Sequence, residues 1–170
     1  MRVIVGLGNP GIDYVGTRHN AGVLFVERLA ETLNNDYGWR AHKAAMVFET
    51  PKVILAKSKD KFMNESGVWV KELLKNTSDP ESILVHDDLD IRLGEFKMQM
   101  GTGPKVHYGV QSVENALGTK DFMRVRIGVD NRDPNNRIPG ESYVLQKFTT
   151  QELTILDKVF QEIIDISFAN

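Results

Sequence analysis

Four side chains have the types and surroundings that hydrolytic chemistry needs in the absence of a side-chain nucleophile: His19, Asp87, Asn9 and Asn64. His19 stands between Arg18 and Asn20, outside the apolar stripe that follows it, whereas a core histidine would fall within such a stripe. Imidazole titrates near neutrality and accepts a proton from water. Asp87 follows an apolar run, in His86-Asp87-Asp88-Leu89-Asp90, and is the natural carboxylate to hold that ring in one tautomer. The chain has no cysteine and no serine in a nucleophile-elbow pattern, so the attacking group would be water. Asn9 and Asn64 bring carboxamides, which donate and accept hydrogen bonds without ionising. Such groups orient a water, grip a peptide group or stabilise an oxyanion. A turn or helix cap is the competing use of each asparagine taken singly.

Two further patterns suggest other chemistry. Gly6-Leu-Gly8-Asn-Pro-Gly11 matches the dinucleotide pattern G-x-G-x-x-G after a strand. Pro10 lacks the amide a phosphate turn needs, however, and helical periodicity starts only after His19. The region where an acidic residue should end a second strand also reads as helix, which argues against a nucleotide cofactor. The carboxylates Asp87, Asp88 and Asp90 suggest a hard divalent cation and a metal-dependent phosphohydrolase. Such sites draw ligands from several strands, and no second acidic cluster stands out. In the competing reading Asp87 orients a partner, while Asp88 and Asp90 face solvent or cap a turn.

These residues must be positioned by alternating strands and helices. Val3-Ile4-Val5 is a strand, and Ala21, Leu24, Phe25, Leu29 and Leu33 recur at helical spacing, closed by Asn34–Gly38. Met46–Phe48 and Val53–Leu55 are strands joined by a turn at Thr50-Pro51, too close for a crossover helix. Glu65–Lys75 is a short helix, Asn76–Pro80 a loop, and Ser82–Val85 a buried strand. Glu95–Met100 and Val125–Val129 are further strands, Gly101–Pro104 a loop, and Val110–Leu117 a helix. Asn131–Gly140 is a polar surface loop, and Thr149-x-x-Glu152 is a capping box opening a last helix. The expected fold is α/β: a single three-layer α/β/α domain over residues 1–170 with a mixed, mostly parallel central sheet.

Composition agrees. At 170 residues and 41% hydrophobic side chains, one domain with one substantial core is expected. No apolar run approaches the roughly 20 residues of a membrane span, and no signal-peptide pattern precedes the first strand. A cytoplasmic protein is therefore expected. The formal net charge of −2 does not advertise a nucleic-acid partner. Two stretches are locally basic, Lys57–Lys61 and the region of Lys97, Lys105, Lys120, Arg124 and Arg126, and both read as ordinary solvated surface.

Several motifs in consistent order resemble the bacterial-type peptidyl-tRNA hydrolase family. They are Val5-Gly-Leu-Gly-Asn-Pro-Gly11 with Tyr14, Thr17-Arg-His-Asn-Ala-Gly22, Phe62-Met-Asn-x-Ser-Gly67, His86–Asp90, Leu117–Phe122 and Arg124–Gly128. The resemblance implies hydrolysis of the ester between a peptide and the ribose of its tRNA. It implies a cytoplasmic monomer acting on peptidyl-tRNA with no metal, nucleotide cofactor or membrane. His19 would be the general base and Asp87 would keep it basic. Asn9 would recognise the peptide backbone and so separate peptidyl-tRNA from aminoacyl-tRNA with its free amine. Asn64 would position water or substrate, and Tyr14 and Phe62 would wall the site near the tRNA 3′ end.

One stretch departs from the family pattern. Where a loop ending Gly-Gly-His-Asn-Gly is usual, this chain reads Gly101-Thr-Gly-Pro-Lys-Val-His-Tyr-Gly109. Lys105 and Val106 replace glycines, and Tyr108 replaces an asparagine that contacts substrate. A phenol cannot copy the paired geometry of a carboxamide, while Lys105 offers a phosphate contact. The C-terminus also reads as shorter than the family's, trimming its last helix. These departures motivate the alternative of a catalytically impaired homologue that binds tRNA or other RNA.

Overall fold

The computed structural model describes residues 1–33, 36–75, 77 and 81–168. Seven strands among them form one sheet: β1 (Arg2–Gly6), β2 (Trp39–His42), β3 (Ala45–Glu49), β4 (Val53–Ser58), β5 (Glu81–Arg92), β6 (Phe96–Met100) and β7 (Met123–Asp130). Their order is β2-β3-β4-β1-β5-β7-β6. The centre is parallel, β4 beside β1, β1 beside β5, and β5 beside β7. Both edges are antiparallel, through β2–β3 and β3–β4 on one side and β6–β7 on the other. The sheet is mixed, as the short Thr50-Pro51 turn requires.

Side-chain alternation divides the sheet between two helical layers. Ile4, Leu55, Val85, Val125 and Ile127 face one side, against Phe25 and Leu29 of helix α1 (Ala21–Thr32) and Leu156, Phe160 and Ile163 of α5 (Thr150–Ser167). Val3, Val5, Ala56 and Leu84 face the other, against Trp69, Val70 and Leu73 of α2 (Ser66–Lys75) and Val110 and Val113 of α3 (Tyr108–Leu117). A five-residue helix, α4 (Gly140–Val144), precedes α5. The architecture is three-layer α/β/α.

The glycines of the G-x-G pattern serve packing. A Cβ on Gly22 of α1 would lie 2.3 Å from the Val85 carbonyl oxygen, and one on Gly6 would lie 2.3 Å from that of Gly22. Helix α1 therefore rests directly on the backbones at the ends of β1 and the first half of β5. That close approach brings the turn before α1 over β5.

Other elements differ from expectation. Trp39–His42 forms an edge strand whose half-exposed side chains carry little apolar alternation. Helix α4 lies where a polar loop was expected to end. Strand β5 does not end at Val85 but runs on to Arg92, because β7 continues alongside it to Asp130 and supplies ladder partners. Arg124 and Arg126, read as solvated surface, are buried and paired with Glu114 and Asp88. Asn34, Asn35, Asn76 and Ser78–Pro80 of the two expected loops lie outside the described residues.

Candidate active site

Ligands of open α/β sheets sit outside the carboxyl ends of parallel strands. Here the segments that follow β1 and β4 and the second half of β5 border a cleft of about 800 Å³. All eight residues singled out from the sequence line it: Asn9, Tyr14, His19, Phe62, Asn64, Asp87, Lys105 and Tyr108.

The floor is an imidazole–carboxylate–imidazole row. His19 Nδ1 lies 3.0 Å from both carboxylate oxygens of Asp87, and its ring borders the cleft. From the other side His107 Nε2 lies 2.8 Å from Asp87 Oδ1. His107 also caps α3, its Nδ1 accepting from Val110 N at 3.3 Å. With Nδ1 accepting, the Nε2–H is left to donate to Asp87, so the helix cap fixes the tautomer. Behind this row, the fully buried His86 donates from Nδ1 to the Asp87 carbonyl oxygen at 2.8 Å.

The electrostatics follow from this arrangement. Burial of His19 alone would lower its pKa, but the charge of Asp87 and the hydrogen bond to it outweigh burial and raise it above 6.5. Burial alone would raise the Asp87 pKa. The charges of His19 and His107, with their hydrogen bonds, instead hold its carboxyl well below the usual range. His19 is thus a strengthened base, with Nδ1 engaged and Nε2 left to the cleft.

The carboxamides are set by the neighbouring loops. Asn9 N donates to Asn20 Oδ1 at 2.8 Å, and Asn20 Nδ2 donates to Asn9 O at 2.9 Å. Asn9 Oδ1 accepts from Met63 N at 2.7 Å, which leaves its NH₂ as the free donor. Asn64 is exposed on the 3-10 turn Met63–Glu65, where the Glu65 carboxylate accepts from Phe62 N at 3.2 Å. Tyr14 and Phe62 meet edge to face, 5.9 Å between centroids.

The opposite wall carries the departures. Lys105 N donates to Asp90 Oδ2 at 3.1 Å, which fixes the loop at the cleft's edge. Val106 and Tyr108 are 77% and 58% exposed, so they stand at the lip and leave the floor open. Leu89, Glu141, Val144 and Leu145 complete this wall.

The alternative based on Asp87, Asp88 and Asp90 is not assembled. Neighbouring residues of a strand point to opposite faces. Asp88, expected to face solvent or cap a turn, is buried and does cap one: its Oδ1 accepts from Asp90 N at 2.8 Å, while its Oδ2 accepts from Arg126 Nε at 2.7 Å. Among the described residues, one group could hold a cation, His19, Asp87 and His107, with ligand atoms within 4.8 Å of one another. Its two hydrogen bonds already account for it.

His107, His86 and Asn20 stand within the motifs, but their residue types and spacing alone assign them no role. The available signal for His107 was its place directly before a helical stretch, where a side chain caps the first turn.

A family model described as peptidyl-tRNA hydrolase matches residues 3–168. The peptidyl-tRNA hydrolase of Mycobacterium avium (strain 104) is 39% identical over 171 residues, covering 96% of this chain and 87% of that protein. That of Sulfurihydrogenibium sp. (strain YO3AOP1) is 36% identical over 163 residues, covering 94% and 85%. The crystal structure of the Acinetobacter baumannii peptidyl-tRNA hydrolase superposes with a TM-score of 0.81 at 27% identity, covering 97% of this chain and 85% of that one. Fold, motif order and near full-length similarity agree: the chain belongs to the peptidyl-tRNA hydrolase family.

Proposed function

We propose that this protein hydrolyses the ester joining a peptide to the ribose of tRNA, with His19 as general base. His19 Nε2 takes a proton from a water in the cleft while the water oxygen attacks the ester carbonyl. The tetrahedral intermediate collapses by breaking the bond to the ribose oxygen, which leaves with the proton from Nε2. The products are a free peptide carboxylate and deacylated tRNA. Asp87 keeps Nδ1 protonated and stabilises the imidazolium that forms in between.

The free NH₂ of Asn9 donates to a peptide carbonyl. An aminoacyl-tRNA has no such acceptor and presents an ammonium, which a donor repels, so Asn9 selects the blocked substrate. Asn64 orients the water or the substrate carbonyl. Tyr14 and Phe62 flank the 3′ end, with Tyr108 opposite and Lys105 towards phosphate. The reading carries with it a cytoplasmic location and action as a single chain, since one protomer supplies the whole cleft.

The observation that carries this reading is the His19–Asp87 contact at 3.0 Å on the floor of a cleft bordered by two carboxamides. The test is incubation with N-acetyl-aminoacyl-tRNA and its unblocked counterpart, following deacylated tRNA. Wild type should release tRNA from the blocked substrate and spare the other. His19→Ala should lose about 10²–10⁴ in rate while keeping its fold. Unchanged hydrolysis by that variant rejects the mechanism.

A further inference from the structure

The turn Arg18-His19-Asn20 is a one-turn 3-10 helix whose N-cap, Thr17, makes no side-chain capping bond. Each of its residues is held by a different part of the molecule: His19 by Asp87 of β5, Asn20 by the Asn9 backbone after β1, and Arg18 by the α4–α5 region.

The Arg18 attachment is the most elaborate of the three. Its Nη2 lies 2.9 and 3.0 Å from the two carboxylate oxygens of Glu152, in the first turn of α5. Its Nη1 donates to Lys147 O at 3.1 Å, and its backbone N donates to Gln146 O at 3.1 Å. The guanidinium stacks 4.1 Å above the Tyr143 ring. A β-bridge between Thr17 and Lys147 and a bond from Phe148 N to Gly16 O at 2.9 Å fasten the same two segments. Both charged side chains are more than nine-tenths buried.

Stability alone is a weak reason for such a pair. Buried ion pairs are often replaced by apolar residues without loss, because desolvation offsets their attraction. Arg18 Nε, moreover, is buried with no protein partner, which adds to the cost. Glu152 is also the residue the sequence assigns to a capping box. Thr149 Oγ1 does accept from Glu152 N at 3.2 Å, but the Glu152 carboxylate is committed to Arg18. What the pair fixes is geometry: the residue next to His19 in the chain, and the 143–148 segment whose Val144 and Leu145 wall the cleft.

We infer that Arg18 and Glu152 are positioning residues for the hydrolysis, a buried brace that sets the His19 ring against Asp87. The inference rests on the proposed role of His19 as base. Misplacing a reacting group by about 1 Å costs on the order of a hundredfold in rate.

The test uses the double variant Arg18→Met/Glu152→Met, which removes both charges together, and Arg18→Lys, which keeps the charge but loses the fork. Three quantities are read: cooperative thermal melting, kcat and KM on N-acetyl-aminoacyl-tRNA, and the titration of the His19 ring by NMR. A double variant that melts cooperatively should lose about tenfold to a hundredfold in kcat. Its KM should change far less, and its His19 titration should move down from the raised wild-type position. Arg18→Lys should fall between the two. Wild-type kcat with an unmoved His19 titration in the folded double variant overturns the inference. If the double variant does not fold, the same result in Arg18→Lys overturns it. His19→Ala separates the two claims. Full turnover without the imidazole removes the catalytic reading, while the His19 titration in the braced and unbraced proteins still decides whether the brace exists.

Discussion

In the proposed reaction the chemistry turns on Asp87, because it touches both imidazoles at once. Its charge keeps the His19 pKa above 6.5 against the opposing effect of burial. A general base works in its unprotonated form, so the acid limb of the kcat/KM profile should have its midpoint above 6.5. Asp87→Asn removes the charge and leaves the burial, so the limb should move downward. The rate on the plateau should fall by about 10²–10⁴ as the tautomer and the imidazolium lose support. A limb that stays in place in Asp87→Asn would show that another group titrates. Asn9→Ala should narrow the discrimination between blocked and unblocked substrate by about tenfold, the worth of one hydrogen bond. The ratio of the two kcat/KM values measures it. Asp87 and Asn9 were legible as cleft residues because each stands at or just after the carboxyl end of an apolar strand, where ligands of open α/β sheets sit. His107 was not, since its function depends on a fold contact 20 residues away in sequence. Asp88 was legible in part: its Oδ1 caps a turn at Asp90 N, but its burial rests on Arg126, 38 residues away.

At the scale of elements, the distance between His19 and Asp87 is set by how closely α1 lies on the sheet. Gly22→Ala would place a Cβ 2.3 Å from the Val85 carbonyl oxygen and 2.7 Å from Leu7 N. The helix must then lift from β1 and β5, at about 1–3 kcal/mol. For a chain of this size that lowers Tm by roughly 2–12 °C. Turnover should fall more than the population of folded protein explains, because the turn carrying His19 lifts with the helix. Gly38→Ala is the control: its Cβ meets nothing within 4 Å, and melting and turnover should match wild type. Elements with dense apolar periodicity were legible from sequence: β1, β4, α1, α3 and α5 all appear where the pattern placed them. Trp39–His42 was not, since an edge strand buries little and leaves weak alternation. The second half of β5 was hidden because His86, Asp87 and Asp88 are buried through ring contacts, hydrogen bonds and ion pairs, not apolar packing. Periodicity records only apolar burial.

Across the whole molecule, the buried polar row ties stability to pH. Burial foremost, with the charge of His107 added, pushes the pKa of His86 down from 6.5 to about 3. The unfolded chain therefore takes up a proton near 6.5 that the folded chain refuses until about 3. Through that window the unfolded state binds more protons, so stability drains as pH falls. Asp87 acts in the same direction lower down. Its contribution is present above 3.8 and is lost as pH falls through its depressed folded value. His19 acts oppositely. Its contribution is complete below 6.5 and is lost as pH rises through its raised folded value. The net expectation is a protein that weakens from pH 6.5 towards pH 4, with His86 contributing a slope of about 1.4 kcal/mol per pH unit. Urea unfolding at several pH values in this range measures it. His86→Phe keeps the ring and removes the ionisation, so its stability should fall less steeply by about one proton's worth. At pH 7 it should start lower by about 1 kcal/mol, because the Asp87 carbonyl loses its donor. Parallel decline of the two proteins between pH 6.5 and 4 would mean that His86 is not the group whose enforced neutrality sets the acid limit of this fold.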